Sequence, residues 1–256
     1  MVQIEIVFRG EAYAESWILW KNITQKLGEI YANKKVMDRF TGKQLGLTDV
    51  FEYLVKNKAE SFLIEIDGGS IEFSYIADLD LSRLDINNLA IAKKCAEKWV
   101  SRVVNEPDFV QARLYDGEYD LWQNMEDIAY YESEGRDHSN LKKKSNGLPF
   151  PLEAQVIDIS NNPGRWSLKH GFIECVGSTM WMSKRLLDDL GVNMDVSECV
   201  SDVGNAFKIE IQSDCFKNAV GEEAEAQNEL RMFLFRAKEK LNPDIHSLKN
   251  GCPGLV

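Results

Sequence analysis

The residues best suited by type and spacing to covalent chemistry are Cys175 and His170, with Glu174 between them. An imidazole near a thiol can lower its pKa and create a nucleophile. Here Cys175 falls in the apolar run 172–176, FIECV, which reads as a strand. Alternation then turns its side chain away from Glu174, and His170 lies before the strand, beyond Gly171. A cysteine hydrolase and a core thiol are the two readings of this pair. Ser178 stands in VGSTM and lacks the GxSxG spacing of a nucleophile elbow. Asp188 and Asp189 are neighbours on a helical pattern, so they face different sides and do not form an acid/base pair. The histidines His138, His170 and His246 lack a second ligand at helical spacing, so no metal is expected. Asp67-Gly68-Gly69 sits between two strand patterns and suits a turn better than a phosphate cradle. No cofactor motif is present. Gly164-Arg165 offers a guanidinium fork for an anion, or for a nearby carboxylate that would pin the turn.

A second kind of chemistry is recognition. Residues 115–137 read YDGEYDLWQNMEDIAYYESEGRD, with eight acids against Arg136 alone and aromatic rings interleaved. Rings supply desolvated contact and carboxylates supply steering, which is the composition of a protein interface. Asp116, Glu118, Asp120, Trp122 and Tyr131 are the expected contacts. The alternative is a solvated helix and loop whose rings point into the core.

Elements that would position these residues follow from periodicity. Residues 2–8 alternate, with Ile4, Ile6 and Phe8 opposite Gln3, Glu5 and Val7, as in a half-buried strand. Trp17, Trp20, Ile23, Leu27 and Ile30 define one face of a helix over 15–31. A shorter helix over 48–58, capped by Thr48, precedes a hairpin of 61–66 and 70–76. A helix over 89–104 buries Ile91, Cys95, Trp99 and Val103, and a strand follows at 109–115. A helical segment is expected over 120–134, a flexible loop over 135–151 and a strand over 153–159. Pro163 and Gly164 make a turn, the glycine supplying a positive φ. Met180-Trp181-Met182 begins a helical pattern that ends at Gly191. Residues 206–212 form a strand with Phe207, Ile209 and Ile211 inward, and 221–240 a helix burying Ala226, Leu230, Phe233, Leu234 and Ala237. The fold class is α+β: mainly antiparallel sheet with packed helices. The chain reads as a single domain over 1–256, with 1–134 and 152–256 as similar-sized halves around the 135–151 loop.

Composition narrows the partners. With 256 residues and 44% hydrophobic content a sizeable core is available. A net charge of −11 disfavours nucleic acid and favours a basic partner. Five scattered cysteines without a CxxC pair suit a reducing compartment. The opening residues read as a strand and not as a signal peptide, and no run approaches the length of a membrane span. A cytoplasmic protein with no membrane association is expected.

The block 162–181, NPGRWSLKHGFIECVGSTMW, carries a combination of its own. Asn162-Pro163-Gly164-Arg165 precedes Gly171-Phe172-Ile173-Glu174, then Val176-Gly177 and Met180-Trp181. This block resembles a family of bacterial polymorphic-toxin immunity proteins. Arg9-Gly10-Glu11 with Glu15-Ser16, and Phe216-Lys217-Asn218-Ala219 with Gln227 to Leu230 and Phe233 to Phe235, are further echoes. Leu186-Leu187 stands where the resemblance calls for an aromatic pair. The resemblance implies binding without catalysis: non-covalent neutralisation of a cognate toxin domain, expected to be basic. It implies structural roles for Asn162, Pro163, Gly164, Arg165, Gly177 and Trp181. An acidic adaptor or assembly protein is the competing non-enzymatic reading.

Overall fold

The computed structural model describes residues 1–11, 19, 21–23, 25, 35–38, 42–56, 61–66, 69–87 and 92–235. Its frame is a ten-stranded antiparallel sheet in the order β13-β14-β12-β7-β1-β6-β5-β4-β2-β3. The strands are β1 (Val2–Arg9), β2 (Lys35–Asp38), β3 (Gln44–Gly46), β4 (Phe62–Ile66), β5 (Gly69–Ile76), β6 (Leu81–Asn87) and β7 (Phe109–Asp116). The sheet is completed by β12 (Thr179–Ser183), β13 (Val200–Asp202) and β14 (Ala206–Glu210). Two ribbons lie outside it: β8 (Lys143–Ser145) with β9 (Gln155–Ile157), and β10 (Ser167–Lys169) with β11 (Phe172–Glu174). Helices are α1 (Leu47–Lys56), α2 (Ala92–Val103), α3 (Gly117–Asn124), α4 (Ile128–Ser133), α5 (Lys184–Leu190) and α6 (Glu222–Phe235). The α+β class holds. The two halves of the chain share one sheet, its wings joined where β7 pairs with β12.

The two faces of this sheet carry separate cores. Ile4, Ile6 and Phe8 of β1 pack with Leu84, Ile86, Phe73 and Ile64 beneath Trp99, Val100 and Val103 of α2. Leu19 and Ile23, helical and fully buried, join the same core. On the other face Val7, Met180, Met182 and Ile209 pack under Leu186, Leu187, Leu230 and Leu234 of α5 and α6. β1 is therefore not half-buried as its alternation predicts. Both faces are covered, and Glu5 and Val7 are as inaccessible as the residues opposite them. A register shift between Val7 and Phe8 lets β7 place Val110 in the second core while Phe109 stays in the first.

Several elements differ from their expected form. Met180-Trp181-Met182 lies in a strand, β12, between β7 and β14. The helix begins only at Lys184, where Ser183 accepts the Leu186 N–H, and ends on Gly191 at φ 71°. A run with both faces buried is apolar throughout and loses the alternation that marks a strand. The segment over 120–134 is two helices. Asp116 caps the first by accepting N–H bonds from Glu118 and Tyr119, and Asp127 caps the second from Ala129. The expected loop over 135–151 contains β8. α1 starts at Leu47, with Thr48 inside its first turn. The hairpin of β4 and β5 forms in register from Phe62↔Phe73 to Ile66↔Gly69. The turn expected at 67–68, Ile91, most of the helix expected over 15–31, and Ala237 with the end of the helix expected over 221–240 lie outside the described residues.

Candidate functional site

Strand register assembles an ion network on the second face. Glu5 stands opposite Asp85 of β6 on one side and opposite Arg113 of β7 on the other. Arg113 Nε donates to Glu5 Oε1 at 3.0 Å and its Nη1 to Asp120 Oδ1 at 2.9 Å. Arg83 Nη2 donates to Asp85 Oδ1 at 3.1 Å. Its Nε lies 3.0 Å from Glu5 and 2.6 Å from Asp85, as an ion pair off the hydrogen-bond axis. Trp166 Nε1 closes the row on Asp120 Oδ2 at 3.2 Å. Burial opposes charge on Glu5, yet Arg113 and Arg83 hold its carboxyl below the usual glutamate range. Asp85 has only the Arg83 fork, and burial with the Glu5 charge beside it pushes its carboxyl up to about 7. Burial likewise raises Asp120 against the pull of Arg113.

Cys175 lies within this network. Its thiol is fully buried, accepts from Gln111 Nε2 at 3.3 Å and approaches Glu5 Oε1 at 3.9 Å. Burial pushes the thiol up to about 12, so it stays protonated. His170 sits exposed at the tip of the β10–β11 hairpin, beside Gly171 at φ 77°. The thiol's partners are Gln111 and Glu5, and the cysteine–histidine pair expected for a hydrolase is not assembled.

The NPGR turn forms the roof of the network. Arg165 N–H bonds Asn162 O at 3.3 Å, and Asn162 Nδ2 reaches Gln123 O at 2.8 Å. Gly164 does not take a positive φ, contrary to expectation. Its need is proximity: a Cβ there would meet Gln123 Cγ and Tyr119 Cε1 at 2.7 Å. Gly177 has the same role, since its Cβ would stand 2.7 Å from the Leu114 carbonyl oxygen. Arg165 donates to Asn162 O at 2.8 Å. The turn is pinned from below by Arg231 of α6, which donates to the carbonyls of Pro163 and Arg165 and to Glu174 Oε1 at 3.1 Å. Trp181 is buried in the first core. Between turn and sheet, a cleft lined by Arg113, Tyr119, Asp120, Gly164 and Gly177 has room for about one water.

The five expected contact residues separate into two sets. Asp116 is buried, caps α3 and pairs with the terminal ammonium of Met1 at 2.7 Å. Burial works against its charge, but the ammonium and two backbone N–H groups hold its pKa down. Asp120 belongs to the ion network and Tyr131 is 6% exposed. Glu118 is exposed and pairs with Arg136 at 2.7 Å, and that guanidinium stacks 3.9 Å over Trp122. Trp122 also packs on Tyr130 and Tyr131, with ring centroids 5.7 and 5.0 Å away. The exposed part of the segment is Glu118 and Tyr130, beside half-buried Trp122, with the exposed acids Glu132, Glu134 and Asp137 following in sequence. The β8–β9 ribbon adjoins it, Ile157 N–H bonding Glu126 O at 2.9 Å. Lys144 pairs with Glu126 at 2.7 Å and Lys142 with Asp158 at 3.0 Å.

Glu5, Arg83, Asp85, Gln111, Arg113 and Arg231 were not expected at a site. A charge at the centre of an apolar strand, such as Glu5 between Ile4 and Ile6, is the one sequence signal for them. Among the described residues no group of three His, Cys, Asp or Glu could hold a metal ion, and no helix is long and apolar enough to cross a membrane. The described cysteines, Cys95, Cys175, Cys199 and Cys215, are free and buried.

No family model matches the sequence, and no curated protein matches it either. The fold is similar to that of the Pseudomonas aeruginosa T6SS protein PA0821, with a TM-score of 0.54. The two share 9% identity over 92% of this chain and 72% of that one, a likeness of fold alone.

Proposed function

We propose that this chain is an immunity-type inhibitor that binds a cognate toxin domain non-covalently. The observation that carries the reading is the patch at α3 and α4, where half-buried Trp122 packs on exposed Tyr130 in a segment whose acids Glu118, Glu132, Glu134 and Asp137 are exposed. Aromatic anchors within a carboxylate rim suit a partner with a basic surface. The 162–181 motif block and the fold likeness to a T6SS protein support a place in bacterial competition. The buried, protonated Cys175 thiol gives no support to a hydrolase.

The motif residues serve this function indirectly. They hold α3 against the sheet through Gln123 and Asp120, and so fix the orientation of the acidic patch. Asp116 and Asp120 are part of that support, so charge reversal there would test folding, not contact. Coexpression with the toxin encoded beside its gene tests the reading. Survival with a stable co-purifying complex is expected. Death of cells containing the soluble, folded chain would sink it. Glu118→Lys/Glu132→Lys/Glu134→Lys should weaken the complex, mainly by slowing association, with the thermal midpoint unchanged.

A further inference from the structure

Beside the acidic patch, the β8–β9 ribbon ends in a tip, residues 146–154, that carries the largest concentration of exposed apolar side chains in the described chain. Phe150 is 90% exposed, Leu152 66% and Leu148 51%. Exposed residues elsewhere, such as Val196 and Val220, stand singly in sequence and need no explanation. Here three fall within five residues. Phe150 leaves its whole ring in water, an arrangement with a cost unless something covers it.

The tip is also ordered by its own bonds. Asn146 works as a crosspiece: its Oδ1 accepts from the N–H groups of Leu148 and Ala154 at 3.1 and 3.2 Å, and its Nδ2 donates to Leu152 O at 2.9 Å. Its backbone N–H bonds Ala154 O at 2.9 Å, and Leu152 N–H bonds Pro149 O at 2.9 Å. Pro149 and Pro151 flank Phe150 and restrict its backbone further. A loop whose shape is set before binding loses little entropy on docking.

We infer that this tip is an insertion element: Leu148, Phe150 and Leu152 enter an apolar cleft of the toxin domain, while the carboxylates of α3 and α4 meet a basic rim around it. The inference rests on the proposed immunity function and adds the surface that confers affinity. Charge favours a protein cleft over a lipid surface as the occupant. Two of the three lysines at 142–144, Lys142 and Lys144, are already paired with Asp158 and Glu126. The net charge of −11 opposes such a surface further.

The test is calorimetric titration of the purified toxin domain encoded beside the gene with the full chain and its variants. Phe150→Ser should weaken binding by about 100-fold, the scale of an anchor residue, with the thermal midpoint unchanged. Asn146→Ala keeps every contact side chain and should lose about 10-fold by loosening the tip. Val220→Ser, at an exposed position remote in sequence, should bind as the parent does. Unchanged affinity for both Phe150→Ser and the Leu148→Ser/Phe150→Ser/Leu152→Ser variant would overturn the insertion element and leave the immunity reading standing. Failure of the parent chain to bind the toxin domain would overturn both. Co-sedimentation of the parent chain with phosphatidylglycerol–phosphatidylethanolamine vesicles, lost in Phe150→Ser, would replace the protein cleft by a membrane.

Discussion

At Glu5 an ordinary strand position carries a carboxylate into a dry interior, where Arg113 and Arg83 keep it ionised. Removing one member of such a group leaves the others charged and unpaired. Arg113→Met should therefore cost about 3–5 kcal/mol, read from urea denaturation. Replacing Glu5 and Asp120 by glutamine and asparagine in the same background should recover part of that loss. Asp85 responds to pH in the opposite sense from Glu5. Its folded pKa of about 7 exceeds the unfolded value of about 3.9, so the folded chain holds the proton longer. Stability is then lost as pH climbs from about 4 to 7, by at most about 1.4 kcal/mol per pH unit, and levels off above. Glu5, with its lowered pKa, contributes stability above its unfolded pKa that is lost on acidification. In Asp85→Asn the decline toward neutral pH should vanish, as thermal midpoints between pH 5 and 8 would reveal. A midpoint curve of unchanged slope would assign the titration elsewhere.

The NPGR turn shows at the scale of an element why a glycine can be required without a positive φ. Gly164 admits Tyr119 and Gln123, and Gly177 admits the carbonyl of Leu114. Alanine at either position should destabilise by about 1–3 kcal/mol, because backbone and packed rings cannot retreat. Denaturant midpoints of Gly164→Ala and Gly177→Ala measure this. A shift under half a kcal/mol would mean that the turn relaxes freely. The turn itself was legible in Pro163-Gly164. Its true fastener, Arg231, was not, because a basic residue in a helix gives no sign of whether it points to solvent or to a carbonyl 66 residues away. The same limit divided the acidic segment. Its composition left an interface and a solvated face as alternatives, and gave no sign that Asp116 and Asp120 are engaged by the Met1 ammonium and by Arg113.

For the whole molecule the consequence is a shared sheet. A fragment ending at residue 134 would expose the β7 edge that pairs with β12 and uncover the second core. Such a fragment should aggregate or remain unfolded by size-exclusion chromatography and circular dichroism. A soluble, folded fragment would show that the wings are independent. The sequence by itself determined the class, most strand and helix positions, the acidity and the motif turn, because periodicity, caps and charge are local or additive. Only the tertiary structure decided that β1 is buried on both faces, that Met180-Trp181-Met182 is a strand, and that Cys175 is a protonated core thiol. It also decided which acids of the 115–137 segment are left exposed. Each depends on what covers a residue, and that is set by chain segments distant in sequence. Leu148, Phe150 and Leu152 are the converse case: apolar residues in and beside the expected 135–151 loop, left in water because nothing in the described chain folds over them.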